Sequence, residues 1–151
     1  MSIENDIKQT KFISEYHKLA VNVLFSASWL SDKNLQVMKP FKLTPQQFNI
    51  LRILRGQKGS PLSVNSLIER MIDKSSNVSR LVDKLEDKGY VERKTCPSDR
   101  RQVHVIITES GLEFIGKLDE PMSKLDAHIK ALSLEEAATL NHLLDKMRNS
   151  K

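Results

Sequence analysis

The side chains with the most chemical capacity fall into two short runs. In the first, Lys74, Ser75, Ser76 and Asn77 are followed by Ser79, Arg80 and Lys84, which sets small hydroxyl and amide groups beside cations. Small polar side chains let a helix approach base-pair edges closely, and an arginine among them reaches a guanine edge or a phosphate. In the second, Asp99-Arg100-Arg101 places two guanidinium groups next to a carboxylate. A narrow A·T-rich minor groove has enhanced negative potential and takes up inserted arginine. Asp99, two residues from Arg101, can hold that guanidinium extended through a charge-assisted hydrogen bond. The chemistry on offer is recognition of duplex DNA. For the first run, a solvated helix face accounts for the same residue types. For the second, the alternative is an exposed ion pair worth about 1 kcal/mol or less, although a purely structural hairpin gains nothing from two cations at its tip.

Other chemistry has little to work with. The chain has no Gly-x-Gly-x-x-Gly, no phosphate loop, no His-Glu-x-x-His and no paired-Cys motif, so an enzyme is not expected and no cofactor is called for. The single Cys96 excludes an internal disulfide and any Cys-pair zinc site. With no second cysteine in the chain to resolve an oxidised form, Cys96 reads as a bystander. His17, His104, His128 and His142 lie far apart in the chain, and no metal site is expected. His17, close to Glu15, reads as a surface or hydrogen-bonded group.

Elements must hold the two runs in place. Leu43-Thr44-Pro45-Gln46-Gln47-Phe48 opens a helix with Thr44 as N-cap, Pro45 at the first helical position, Gln47 completing a capping box and Leu43 stapled to Phe48. That helix presents Phe48, Leu51, Ile53 and Leu54 and stops near Gly56, ahead of a loop at Gly59-Ser60-Pro61. Ser63 caps a short helix with Val64, Leu67, Ile68 and Met71 on its apolar side. After a brief turn at Ile72-Asp73, a second helix is expected from Lys74 to Gly89, with Val78, Leu81, Val82 and Leu85 facing inward. At about 100° per residue, Ser76, Arg80 and Asp83 point away from that core, and Asn77, Ser79 and Lys84 flank them. Asp83, Glu86 and Asp87 would repel DNA, so only the first half of the helix should enter a groove. Two short helices and a three-residue turn have helix-turn-helix proportions. Tyr90–Arg93 and Val103–Ile107 are β-rich, and the turn chemistry from Thr95 to Arg101 between them predicts a hairpin with the paired arginines at its tip.

Long amphipathic helices are expected at both ends. Phe12, Ile13, Tyr16, Leu19, Ala20, Val23, Leu24, Ala27 and Leu30 recur at helical spacing. Leu112, Ile115, Leu118, Met122, Leu125, Ile129 and Leu132 run close to a heptad seam, which Pro121 should bend or break. Ser133 and Glu136 form a capping box for a last helix carrying Ala137, Leu140, Leu144 and Met147. These faces exceed what the central module needs, so joining with a second copy is expected, packing within one chain being the alternative. The fold class is mainly α with a small β-hairpin wing: a winged helix-turn-helix plus a long helical dimerisation region. Its parts are an N-terminal dimerisation helix region at 1–43, the DNA-binding module at 44–108 and C-terminal dimerisation helices at 109–151.

Charge follows these divisions. The chain carries 24 Lys and Arg against 19 Asp and Glu, for +5. Residues 44–108 hold twelve basic and seven acidic side chains, so they alone account for the net charge, whereas residues 109–151 hold six and eight. This placement suits an anionic partner docking centrally, and equally an uneven solvated surface. A composition 39% apolar and 28% charged is globular and not disordered. No apolar run approaches the ~18 residues of a membrane span, and the opening residues lack the order of a signal peptide. A cytoplasmic location is therefore expected.

The run from Lys74 to Arg93 (KSSNVSRLVDKLEDKGYVER), followed by Asp99-Arg-Arg101 and Ile107-Thr-Glu-Ser-Gly111, resembles the MarR-type winged helix-turn-helix regulators. The resemblance extends over essentially the whole chain. It implies a triangular homodimer with interlocked terminal helices. It also implies that the helix from Lys74 enters the major groove and that Arg101, positioned by Asp99, enters the minor groove. Members of this family bind a small aromatic or phenolic effector between the dimerisation helices and the DNA-binding lobe. Tyr16, Phe25, Trp29 and Phe41 are the aromatics available for that role, with core packing as their alternative. Peroxide-sensing members use a cysteine near the N-terminal helix, a position that Cys96 does not match. The expected function is a sequence-specific, double-stranded-DNA-binding transcriptional regulator, a repressor released by its effector and bound as a dimer to a pseudo-palindromic operator. The alternative is a helical protein-protein interaction module that uses its winged helix without DNA.

Overall fold

In the computed structural model, which describes residues 2–95, 98 and 102–149, the capping signals of the sequence set most helix boundaries. Thr44 accepts the Gln47 amide at 3.2 Å while the Gln47 side chain accepts the Thr44 amide at 3.1 Å. The helix they open, α3, runs Pro45–Gly56. It is preceded by α1 (Ile3–Asp6), α2 (Glu15–Met38) and a 3-10 turn at Lys39–Phe41. Ser63 caps α4 (Val64–Arg70), Thr108 caps α6 (Glu109–Gly116), and the Ser133–Glu136 capping box opens α8 (Leu134–Arg148).

Several boundaries differ from expectation. Ser14 is extended and accepts the His17 amide, so α2 begins after Phe12 and Ile13, and these two lie outside the helical stripe. The expected hairpin is part of a three-stranded antiparallel sheet in the order β1-β3-β2, where β1 is Leu62–Ser63, β2 is Val91–Thr95 and β3 is Val103–Ile107. Register pairs Arg93 with Val105 and Leu62 with Val105 from the other side. The C-terminal seam is broken near Pro121 as expected, with the break just before it, between α6 and α7 (Asp119–Ile129). A proline cannot donate to the carbonyl four residues back and its ring clashes with that carbonyl, so the helix must be interrupted near Lys117. Pro121 then sits in the first turn of α7, where no such donor is needed.

The main core belongs to the winged half. Ile50, Leu51 and Leu54 of α3, Leu67 of α4, Val91 and Val105 of the sheet and Ile115 of α6 are buried around α5 (Val78–Asp87), which contributes Val78, Val82 and Leu85. From α2 only Met38 reaches this cluster, and α8 buries none of its residues. Leu24 is 71% exposed, Leu134 91% and Leu143 52%, so the long terminal helices leave an apolar surface uncovered. Among the described residues, no helix is long and apolar enough to cross a membrane.

Candidate nucleic-acid interface

Helix α5 is shorter than its sequence suggests. Helix α5 starts at Val78, not Lys74, and residues 71–77 form the turn between α4 and α5 in place of a three-residue turn. Polar side chains in this stretch compete with helical hydrogen bonding. Asp73 accepts the Ser75 amide at 2.9 Å and the Ser75 hydroxyl at 2.6 Å, while Asn77 caps α5 by accepting the Arg80 amide at 3.1 Å. The Ser75 bonds, with a further one from Gln46, hold the Asp73 carboxyl below its ordinary range. Ser76 therefore lies in the turn and is half-buried, so the helical projection that pointed it outward does not apply.

An open groove of about 420 Å³ runs along the start of α5 and gathers Ser75, Ser76, Asn77, Arg80 and Lys84, with Gln46 and Asp73 at its back. Two expected members stand apart. The Lys74 ammonium donates to the Glu69 carbonyl at the end of α4. Ser79 faces a second groove with Asn65, Arg93 and Gln102, beside the hairpin. Cys96, Asp99, Arg100 and Arg101 lie outside the described residues.

Two of the three carboxylates in the acidic half of α5 share one arginine, a contact that the sequence alone does not announce. The Arg93 amide donates to Glu86 Oε1 at 3.0 Å and its guanidinium to Glu86 Oε2 at 2.5 Å. The same guanidinium pairs with Asp83 and reaches the Ser79 carbonyl at 3.3 Å. Burial pulls the guanidinium down, but bonding to Asp83 and Glu86 outweighs it and leaves Arg93 above its ordinary value. Two carboxylates three residues apart on the helix, with an arginine on the next strand, were the available signal.

Behind α3 lies a larger cavity of about 790 Å³ between α2, α7 and the turn that precedes α5. Met38, Phe48, Met71 and Met122 give it apolar walls, and Asn34, Asn49, Arg52 and Arg55 line it with polar groups. Arg55 is engaged by Asp119 through contacts of 2.8 and 3.1 Å. Asn49, only 5% exposed, accepts the Ile72 amide at 2.9 Å, which pins the turn to α3. That bond fixes the amide orientation, since Nδ2 cannot face an N–H, and Nδ2 is left buried without a partner. Gln46 ties Asp73 to the same helix at 3.4 Å. A buried amide in an otherwise apolar stretch of helix was the sequence signal for Asn49. Of the aromatics proposed for an effector, none lines this cavity. Tyr16, Phe25 and Trp29 are exposed on α2, and Phe41 packs edge-on against Phe114.

His17 stacks edge-on against Phe12 and accepts the Ile13 amide at 3.4 Å, a hydrogen-bonded role. Among the described residues, no cluster of His, Cys, Asp and Glu is placed to hold a metal ion.

Residues 43–103 match the MarR family model. The HTH-type transcriptional regulator PecS of Dickeya dadantii is 29% identical over 133 residues, which cover 85% of this chain and 80% of PecS. A mutant MarR from E. coli complexed with operator DNA superposes with a TM-score of 0.79 at 25% identity, over 91% of this chain and 99% of that one. The organohalide-sensing regulator RdhR in its 2,4-dichlorophenol-bound form shares the fold with a TM-score of 0.79 at 21% identity, over 91% of this chain and 81% of that one.

Proposed function

From the match of residues 43–103 to the MarR family model we propose that the chain is a winged helix-turn-helix repressor that binds a pseudo-palindromic operator as a homodimer and is released by a small-molecule effector. It is a DNA-binding regulator of transcription, not an enzyme, as its relatives are. The observation that carries the DNA contact is the groove at the start of α5, where Ser75, Asn77, Arg80 and Lys84 converge on one open face and the half-buried Ser76 completes the lining. In this reading that face enters the major groove, with Arg80 reaching a base edge or phosphate. Ser79 and Lys74 lie outside that face, and Arg101, held by Asp99 and preceded by Arg100, enters the minor groove. The uncovered apolar faces of α2 and α8 support a second copy, whose two-fold axis would place the half-sites about one helical turn apart. The cavity behind α3 supports the effector reading: its apolar walls and Arg52 suit a compact molecule with an apolar body and a polar head, of the aromatic or phenolic kind that RdhR binds.

Selection of bound DNA from a random duplex pool tests this. Recovery of an inverted repeat is the expected result, with log affinity falling steeply with log salt as several phosphates are contacted. Arg101→Ala should weaken binding by about 1–3 kcal/mol and relax A·T preference at the flanks. An unselective pool with a flat salt response would favour a protein partner for the winged module instead.

A further inference from the structure

We propose that Arg93 is a positioning residue that sets the hairpin against the recognition helix, so that the two DNA-contacting elements keep one fixed spacing. The proposal rests on the DNA-binding reading above. Strand β2 is a sheet edge: β3 pairs with it on one side, and α5 packs along it on the other. The Arg93 N–H leaves that edge for Glu86 Oε1 at 3.0 Å, and the Arg93 guanidinium takes the other oxygen of the same carboxylate at 2.5 Å. A carboxylate held through both oxygens by the backbone and side chain of one residue fixes direction as well as distance. Asp83, three residues earlier on α5, closes the clamp from the other side of the guanidinium. Nearer the turn, the Tyr90 amide to the Leu85 carbonyl and the Thr108 hydroxyl to the Gly89 carbonyl hold the base of the hairpin. Arg93 lies further along the strand and controls its tilt. Each strand residue advances about 3.3 Å, so a tilt left free at Arg93 grows toward the hairpin's far end.

The clamp makes a prediction opposite in sign to charge counting. Deleting a carboxylate from a helix that faces DNA should strengthen binding if only net charge matters. If Glu86 instead acts through Arg93, Glu86→Gln frees the hairpin and weakens the binding that needs both elements in register. The experiment uses the full chain and the operator recovered by selection, and measures affinity for the operator and for a random duplex of equal length. Wild type is compared with Glu86→Gln, Asp83→Asn and Arg93→Lys, and circular dichroism melts establish which variants are folded. Arg93→Lys keeps the charge but loses the two-pronged geometry, so it separates positioning from simple neutralisation.

The expected result is an operator affinity lower by roughly tenfold in each variant, about the effect of one mismatched base pair. Random-duplex affinity should be unchanged or higher, and hydroxyl-radical protection should be lost at the minor-groove flanks while the centre stays protected. Should Glu86→Gln fail to fold, the exposed Asp83→Asn carries the comparison. Operator affinity equal to wild type or tighter in the folded variants, with the operator-to-random ratio intact, overturns the proposal. A wild-type protein that selects no sequence at all overturns the DNA-binding reading itself, a failure visible before any variant is made.

Discussion

Gly111→Ala should destabilise the protein although it exchanges glycine for the best helix former. Gly111 lies in the first turn of α6, and its amide donates to the Thr108 hydroxyl at 3.0 Å. A Cβ at this position would sit 2.2 Å from the Tyr90 carbonyl oxygen, 3.0 Å from that carbonyl carbon and 2.8 Å from Ile107 Cγ1. The isoleucine can rotate away, but the carbonyl is backbone at the start of the hairpin and must retreat by about 1 Å to reach an ordinary contact. It accepts the Thr108 amide at 3.0 Å, so the retreat also breaks that bond. Overpacking of this kind costs about 1–3 kcal/mol, and a lost hydrogen bond about 1 kcal/mol. The gain in helix propensity offsets about 1 kcal/mol, leaving a net loss of roughly 1–3 kcal/mol. Urea unfolding followed by far-UV circular dichroism at fixed protein concentration measures it, with a lower midpoint and an unchanged slope expected. Gly116→Ala, at the other end of the same helix with nothing within 4 Å of its Cβ, is the internal control and should be neutral or stabilising by up to about 1 kcal/mol. Equal effects at the two glycines, or a Gly111→Ala protein as stable as wild type, would refute the steric argument.

Other outcomes follow from the same geometry. Asn49→Ala should cost about 1 kcal/mol and speed hydrogen exchange at the Ile72 amide well beyond that global change, since Asn49 is the acceptor of that amide; unaltered exchange at Ile72 would contradict the pinning of the turn. Leu24→Glu combined with Leu143→Glu, both at exposed apolar positions, should reduce the mass in sedimentation equilibrium from twice the 17.3 kDa chain to a single copy, and a wild-type monomer would remove the dimer from the proposal. The Lys18 ammonium, the helix backbone and Ser2 push the Glu4 carboxyl down from 4.5 to about 2. A depressed carboxylate stabilises docking of α1 above its ordinary pKa and loses that contribution as pH falls through the folded value. Methyl NMR signals of the buried Ile3 should therefore hold at pH 5 and move toward unfolded positions as pH drops from 4.5 toward 2, and Lys18→Ala should bring the loss to higher pH.

Much of the framework was legible because its signals are local. Thr44 with Gln47, Ser63, Thr108 and Ser133 with Glu136 each satisfy backbone amides a few residues away, and the helices start where those side chains say. The start of α5 was misread because periodicity carries inward from Val78 to Leu85 but does not reveal that Asp73 and Asn77 take the preceding amides for themselves. Strand β1 escaped notice because two residues have no period, and Leu62 pairs with a partner 43 positions away in the chain. The pairing of Asp83 and Glu86 with Arg93 was not legible because Arg93 is brought alongside α5 only when the chain turns at Gly89. Four aromatic residues drew attention to an effector site by type alone, whereas the cavity behind α3 is walled mainly by methionines and Phe48.

Gln46 and Asp73 line both the groove at the start of α5 and the cavity behind α3, joined by a single 3.4 Å bond. Two chambers with a common partition cannot be filled independently if filling either one moves it. Thermodynamic linkage then demands reciprocity: the factor by which a cavity occupant weakens the grip on DNA equals the factor by which DNA weakens the hold on that occupant. The affinity measured on the free protein would thus overstate the sensitivity of the operator-bound protein. If the proposed effector occupies the cavity, the wider the gap between the two affinities, the more its response threshold is set by how much DNA the protein has found.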